Sequence, residues 1–116
     1  MRKSKPIMVY ISGPLTKGNV PRNIRNAVTA GHKLIKRGYV VVVPHEKALC
    51  AEILHPMSYE QWMDYDLRVI RCCDAVLRIP GESPGGDKEV EFAKKHGIPV
   101  FKQMERLLAE MPPGLA

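Results

Sequence analysis

Four short apolar runs punctuate the chain, and helical periods fill the gaps between them. The runs are Ile7-Met8-Val9-Tyr10-Ile11, Tyr39-Val40-Val41-Val42-Val43, Asp74-Ala75-Val76-Leu77-Arg78-Ile79 and Ile98-Pro99-Val100-Phe101. Each is too short for a helix and reads as a buried strand. The Tyr39–Val43 run is β-branched after its tyrosine, so burial on both faces is expected. Between the first two runs, Ile24, Ala27, Val28, Gly31, Leu34 and Ile35 recur at helical spacing over residues 22 to 37, and Gly38 marks the stop. Ser58, with Gln61 as its capping-box partner, opens a second helix carrying Trp62, Val69, Ile70 and Cys73 on one side. A third helix is expected over Asp87 to His96, after a Pro/Gly-rich loop from Pro80 to Gly86. A last helix spans Lys102 to Met111. The segment from 44 to 57 is ambiguous; it fits a helical turn from Glu46 to Leu54 that His55-Pro56 ends.

Strand and helix in strict alternation imply a parallel sheet with helices on both faces. The expected fold class is α/β: one doubly wound, flavodoxin- or Rossmann-like domain with about four to five strands. A chain of 116 residues supports one core and not two. The domain is therefore expected to run from 1 to 116, with disordered ends at 1–5 and 112–116. Ligands of such folds bind beyond the carboxyl ends of the strands, where the strand order reverses. That directs attention to the loops Ser12 to Pro21, Pro44 to Pro56 and Pro80 to Lys88.

Eighteen basic against twelve acidic residues give a net charge of +6, which favours an anionic partner. The basic residues are scattered, so a small phosphate compound is preferred over a nucleic acid. Cys50, Cys72 and Cys73 have neither a disulfide pattern nor C-x-x-C spacing. No metal or cofactor is expected, and a reducing, cytoplasmic compartment is. The apolar stretch behind Met-Arg-Lys-Ser-Lys is too short for a signal peptide, and none approaches a membrane span.

The first loop follows a strand but has neither the G-x-G-x-x-G nor the G-x-x-x-x-G-K-[ST] series. Dinucleotide oxidoreductases and P-loop enzymes are disfavoured. The third loop, with Ser83, Gly85 and Gly86 before a helix, suits an anion cradle; it also suits an ordinary loop capped by Ser83 or Asp87. On the helix that follows, Gly86, Val90, Ala93 and Gly97 define a packed face. Glu89 lies roughly 70° from its centre and Glu91 roughly 130°. Glu89 therefore borders the core while Glu91 faces water. Asp66 is at i+4 from Trp62 and shares the apolar stripe of its helix. A buried salt bridge to an arginine would explain it, and so would a site acid beside Glu89. Two converging carboxylates suit cleavage or transfer at a sugar C1′. Asp74 reads as structural. His45, after the second strand, can line the site mouth. Trp62 and Tyr59 can stack on a base, though core packing also accounts for them.

Taken together these elements resemble the nucleoside 2-deoxyribosyltransferase-like family, including the 2′-deoxynucleoside 5′-monophosphate N-glycosidases. The resemblance rests on Tyr10-Ile11-Ser12-Gly13-Pro14, on Asp66 with Asp74, on Ser83-x-Gly85-x-x-x-Glu89, and on Glu89-x-x-x-Ala93-x-x-x-Gly97-x-Pro99-Val100. It is nearest to a short phage and bacterial branch. The resemblance implies Glu89 as the nucleophile at C1′ and Asp66 as the residue contacting sugar or base and assisting the leaving group. It implies Ser83 and Gly85 at the 5′-phosphate, and Tyr10, Ser12, Gly13 and Pro14 in the first-loop wall. Where the family often has glycine two residues after the glutamate, this chain has Glu91. The implied partner is a small nucleotide or nucleoside, and the implied assembly is a homodimer or higher homo-oligomer. A non-catalytic nucleotide-sensing module of the same fold is the alternative.

Overall fold

A computed structural model of the chain describes residues 5–47, 54 and 56–113. The strands are β1 (Met8–Ser12), β2 (Val40–Val42), β3 (Ala75–Arg78) and β4 (Val100–Phe101). The helices are α1 (Val20–Lys36), α2 (Tyr59–Arg71), α3 (Pro84–Lys95) and α4 (Met104–Glu110). Residues 44–47 are helical as well. The expected helical turn from Glu46 to Leu54 falls largely on 48–53, outside the described residues.

The four strands form one parallel sheet in the order β2-β1-β3-β4. The chain leaves β1 toward β2 and later returns to the other side of β1 as β3. The order reverses between β1 and β3, so the loops after these two strands diverge and open a crevice. This is a flavodoxin-like doubly wound α/β fold.

Side chains alternate along each strand, and the alternation sorts them into two cores. Val9, Ile11, Ala75 and Leu77 pack with Ala27 and Leu34 of α1 and Leu107 of α4. Tyr10 and Val76 face the opposite way, against Ile70 of α2 and Ala93 of α3. Ser12 and Arg78, two residues further along, fall on that same α2/α3 face. Asp74 locks the start of β3 onto β1: its carboxylate accepts from the Met8 N–H at 2.8 Å, and its own N–H donates to the Met8 carbonyl. It is the structural residue expected.

Three expectations are corrected. The valine run was expected to be buried on both faces. Instead β2 is an edge strand in which Val40 is 42% exposed and Val41 and Val42 are half-buried. A β-branched run does not distinguish a central strand from an edge one. Ile35 was placed on the packed stripe of α1 and is largely exposed; Ala27, Gly31 and Leu34 are the buried positions. Thirdly, α3 begins at Pro84 and not at Asp87. Ser83 caps it by accepting from the Gly86 N–H at 2.9 Å, and Pro84 enters the first turn with its φ already set. Gly85 and Gly86 are therefore helical. A side chain at Gly86 would place its Cβ 2.9 Å from the Arg78 Nε, which explains a glycine where helix propensity opposes one.

Candidate active site

A cavity of about 520 Å³ opens above the crevice between β1 and β3. Gly13, Thr16 and Lys17 come from the loop after β1, and Pro44, His45 and Lys47 from the segment after β2. Tyr59, Trp62, Met63 and Asp66 come from α2, and Ser83, Gly85, Gly86 and Glu89 from the start of α3. The three loops singled out in the sequence thus meet at one place, with α2 as an additional wall.

Glu89 is the centre of the arrangement. It lies on the buried stripe of α3 with Gly86 and Ala93, and is 7% exposed. The helical-wheel reading put it at the border of that stripe and Val90 on it; Val90 is only half-buried. A carboxylate occupies this position because β1 brings two hydroxyl groups to it. The Tyr10 hydroxyl donates to Oε2 and the Ser12 hydroxyl to Oε1, each at 2.7 Å. These two donors hold the plane of the carboxylate. Burial nevertheless wins over them and raises the Glu89 carboxyl above the usual carboxylate range; the Tyr10 and Ser12 hydrogen bonds pull it down, and the charge of Asp66 adds to the rise. Burial and the same carboxylate push the Tyr10 phenol far up, so its proton stays on the hydroxyl.

Tyr10, Ser12 and Pro14 were expected in the pocket wall. Tyr10 and Ser12 are fully buried behind Glu89, and none of the three residues lines the cavity. Gly13 does line it. A Cβ there would lie 2.3 Å from Ile79 Cγ1, so the close approach of the two diverging loops requires glycine. His45 is buried and reaches back to this loop, its Nε2 3.1 Å from the Pro14 carbonyl and 3.3 Å from that of Gly13. Two carbonyl acceptors put the proton on Nε2, and burial holds the imidazole below its usual range, favouring the neutral form.

Asp66 lines the opposite wall. Its expected arginine partner is instead a lysine: Lys47 Nζ donates to Oδ1 at 2.6 Å. The same ammonium lies 5.2 Å from the Trp62 ring centroid and 4.6 Å from that of Tyr65.

At the α3 end, the helix leaves few free donors. Pro84 has no N–H, the Gly86 N–H is taken by Ser83 Oγ, and the Asp87 N–H bonds the Ser83 carbonyl. The Gly85 N–H and the Ser83 hydroxyl proton remain, beside Lys17, which pairs with Glu82 at 3.1 Å. Arg78, which the sequence reading passed over, is 9% exposed beneath this loop. It donates to the carbonyls of Ile79 and Gly81 and pairs with Asp87 at 3.2 Å, fixing the loop's path. Its signal was an arginine inside an otherwise apolar strand. Lys47 and Met63 also went unassigned; Tyr59 and Trp62, read as able to stack on a base, both line the cavity. Cys73 is buried, its thiol pushed up to about 11 by that burial. Among the described residues, no group of three His, Cys, Asp or Glu side chains could hold a metal ion, and no helix is long and apolar enough to cross a membrane.

A family model described as "Domain of unknown function (DUF4406)" matches residues 7–102. No curated protein sequence matches significantly. Among solved structures, the fold is similar to that of a 2-deoxyribosyltransferase from the psychrotolerant bacterium Bacillus psychrosaccharolyticus. The TM-score is 0.64 at 20% identity, over 84% of this chain and 75% of that one. At that identity the likeness is one of fold.

Proposed function

The chain belongs to the DUF4406 family, and we propose that it cleaves the N-glycosidic bond of a deoxynucleoside or its 5′-monophosphate, as one of a short phage and bacterial branch of nucleoside 2-deoxyribosyltransferase-like proteins. The observation that carries the reading is the buried Glu89 carboxylate, held by two hydroxyl donors on one side and facing the cavity on the other. In the proposed reaction a Glu89 oxygen attacks C1′, and the C1′–N bond breaks with its electron pair leaving on the base. A glycosyl ester results. Water, or a second base, then attacks C1′ and releases the carboxylate. Asp66 serves the leaving-base end.

The Ser83 hydroxyl, the Gly85 N–H and the Lys17 ammonium supply the positive end for a 5′-phosphate. They favour a phosphorylated substrate, and with it hydrolysis over base exchange. The similar 2-deoxyribosyltransferase fold supports the substrate class without fixing the reaction.

The test is release of free base from a panel of nucleosides and nucleoside 5′-monophosphates, followed by chromatography. Glu89→Ala should abolish release while the protein still melts cooperatively. Ser83→Ala should weaken the monophosphates by about 1.5–3 kcal/mol more than the nucleosides. A Glu89→Ala protein that retains wild-type turnover removes the nucleophile. A thermal shift with a nucleotide, and no base released from any substrate, replaces the enzyme with a sensing module.

A further inference from the structure

The leaving-base end of the cavity has a chemical feature that a lone aspartate does not supply. Asp66 accepts an N–H from Lys47 at 2.6 Å. In that pair Asp66 Oδ1 is the acceptor and Lys47 the donor. Lys47 has three N–H donors, of which Asp66 Oδ1 takes one. It lines the same cavity as Glu89, and the faces of Trp62 and Tyr65 support its charge. The side chain is held on several sides: 35% of it is exposed, against 15% for that of Asp66. Its ammonium is thus a fixed positive charge presented to the cavity, and Asp66 is its anchor.

We propose that Lys47 is the catalytic residue of the leaving base: its ammonium donates to an acceptor atom on the base, a ring nitrogen or a carbonyl oxygen, and stabilises the negative charge that develops there as the bond to C1′ breaks. Asp66 is then a positioning residue that acts through Lys47. The inference rests on the glycosidase reading above and adds the group that activates the departing base. The balance is simple. Glu89 supplies the electron pair that forms the new bond at C1′. The pair from the broken C1′–N bond stays on the base, and Lys47 keeps its proton while sharing it in a hydrogen bond. The base takes its proton from water after leaving, and the hydroxide left behind is neutralised by the proton that the hydrolytic water loses. Trp62 flanks the site and gives the base an aromatic surface beside the donor.

A base that leaves without developing negative charge has no use for Lys47. 7-Methylguanine is such a base: methylated at N7, it carries a positive charge in the nucleotide and departs neutral. The experiment compares single-turnover base release from 2′-deoxyguanosine 5′-monophosphate and from its 7-methyl derivative, with spontaneous loss subtracted. Wild type, Lys47→Met and Lys47→Arg proteins are used. Lys47→Met should lose about 100-fold on the ordinary nucleotide, the size found when one charge-stabilising donor is removed. On the methylated nucleotide it should lose less than about fivefold by the same reasoning. Lys47→Arg, which keeps a charged donor, should recover part of the rate on the ordinary nucleotide only. Equal losses on the two substrates, or no loss on either, overturn the role of Lys47 and leave the glycosidase reading standing. Wild-type protein that releases base from neither of these nor from any member of the panel above defeats the glycosidase reading, and the Lys47 role with it. If Lys47→Met does not fold, the ratio of the two rates in Lys47→Arg decides: a ratio equal to that of wild type with a lowered rate on both substrates overturns the proposal.

Discussion

Removing the Tyr10 hydroxyl isolates the interaction that keeps a carboxylate inside this core. Tyr10→Phe leaves the ring and its packing, and deletes one donor, the one 2.7 Å from Glu89 Oε2. A hydrogen bond to a charged group is worth about 1.5–3 kcal/mol, and one between neutral groups about 0.5–1.5. The substitution should therefore cost about 2 kcal/mol where Glu89 is ionised and about 1 kcal/mol where it is protonated. For a domain of this size each kcal/mol moves the melting temperature by about 4 °C. The sign follows from the direction of the Glu89 shift. Burial raises the folded-state pKa of this carboxyl, so the native state holds the proton more tightly than the unfolded chain. The contribution of Glu89 to stability is complete below the unfolded-state pKa and is lost as pH rises through the folded-state one. Tyr10 opposes the rise, so in Tyr10→Phe the loss begins at the same unfolded-state pKa and continues to a higher pH. Urea denaturation of both proteins from about pH 4 to about pH 9 measures the difference. The gap between them should widen as pH rises. A gap independent of pH would refute the pairing of this hydroxyl with an ionised carboxylate. If the protein turns over nucleotides as proposed, the acid limb of its rate profile lies above the usual carboxylate range and moves further up in Tyr10→Phe.

Two further predictions concern the scaffold of the site. Gly13→Ala drives a Cβ to within 2.3 Å of Ile79 Cγ1 and should cost about 1–3 kcal/mol by overpacking. Ile79→Ala makes room, so the double mutant should be more stable than the sum of the single costs by about 1 kcal/mol or more; strict additivity in denaturant unfolding would mean the two residues do not meet. Asp74→Ala strands the Met8 N–H and should cost about 1–3 kcal/mol. Asp74→Asn keeps an acceptor oxygen and should lose about half as much or less, and equal losses in thermal melts would place the value of Asp74 elsewhere.

The legible part of this molecule is what periodicity controls. The four apolar runs read as strands each hold one strand of the sheet, and the helical periods between them form helices. The capping box at Ser58 and Gln61 forms as read. The three loops meet because topology brings every strand's carboxyl end to one side. What escaped the reading depends on partners distant in sequence. Glu89 looked like a border residue because a helical wheel counts apolar neighbours and does not count the two hydroxyls that β1 delivers from 77 and 79 residues away. Once those donors are present, a carboxylate fits where an aliphatic side chain would otherwise sit. Glycines 85 and 86 looked like loop because their helix propensity is poor; the Ser83 cap and the crowding of Arg78 against Gly86 override it. Lys47 carried no periodic signal at all. Its neighbours Trp62, Tyr65 and Asp66 lie on α2, and only the folded sheet brings the chain after β2 against that helix. Tyr10, Ser12 and Lys47 share that origin. The groups that hold Glu89 and Asp66 lie in other elements of the fold, so the hydrogen bonds that orient the two carboxylates leave no trace in the local pattern around either of them.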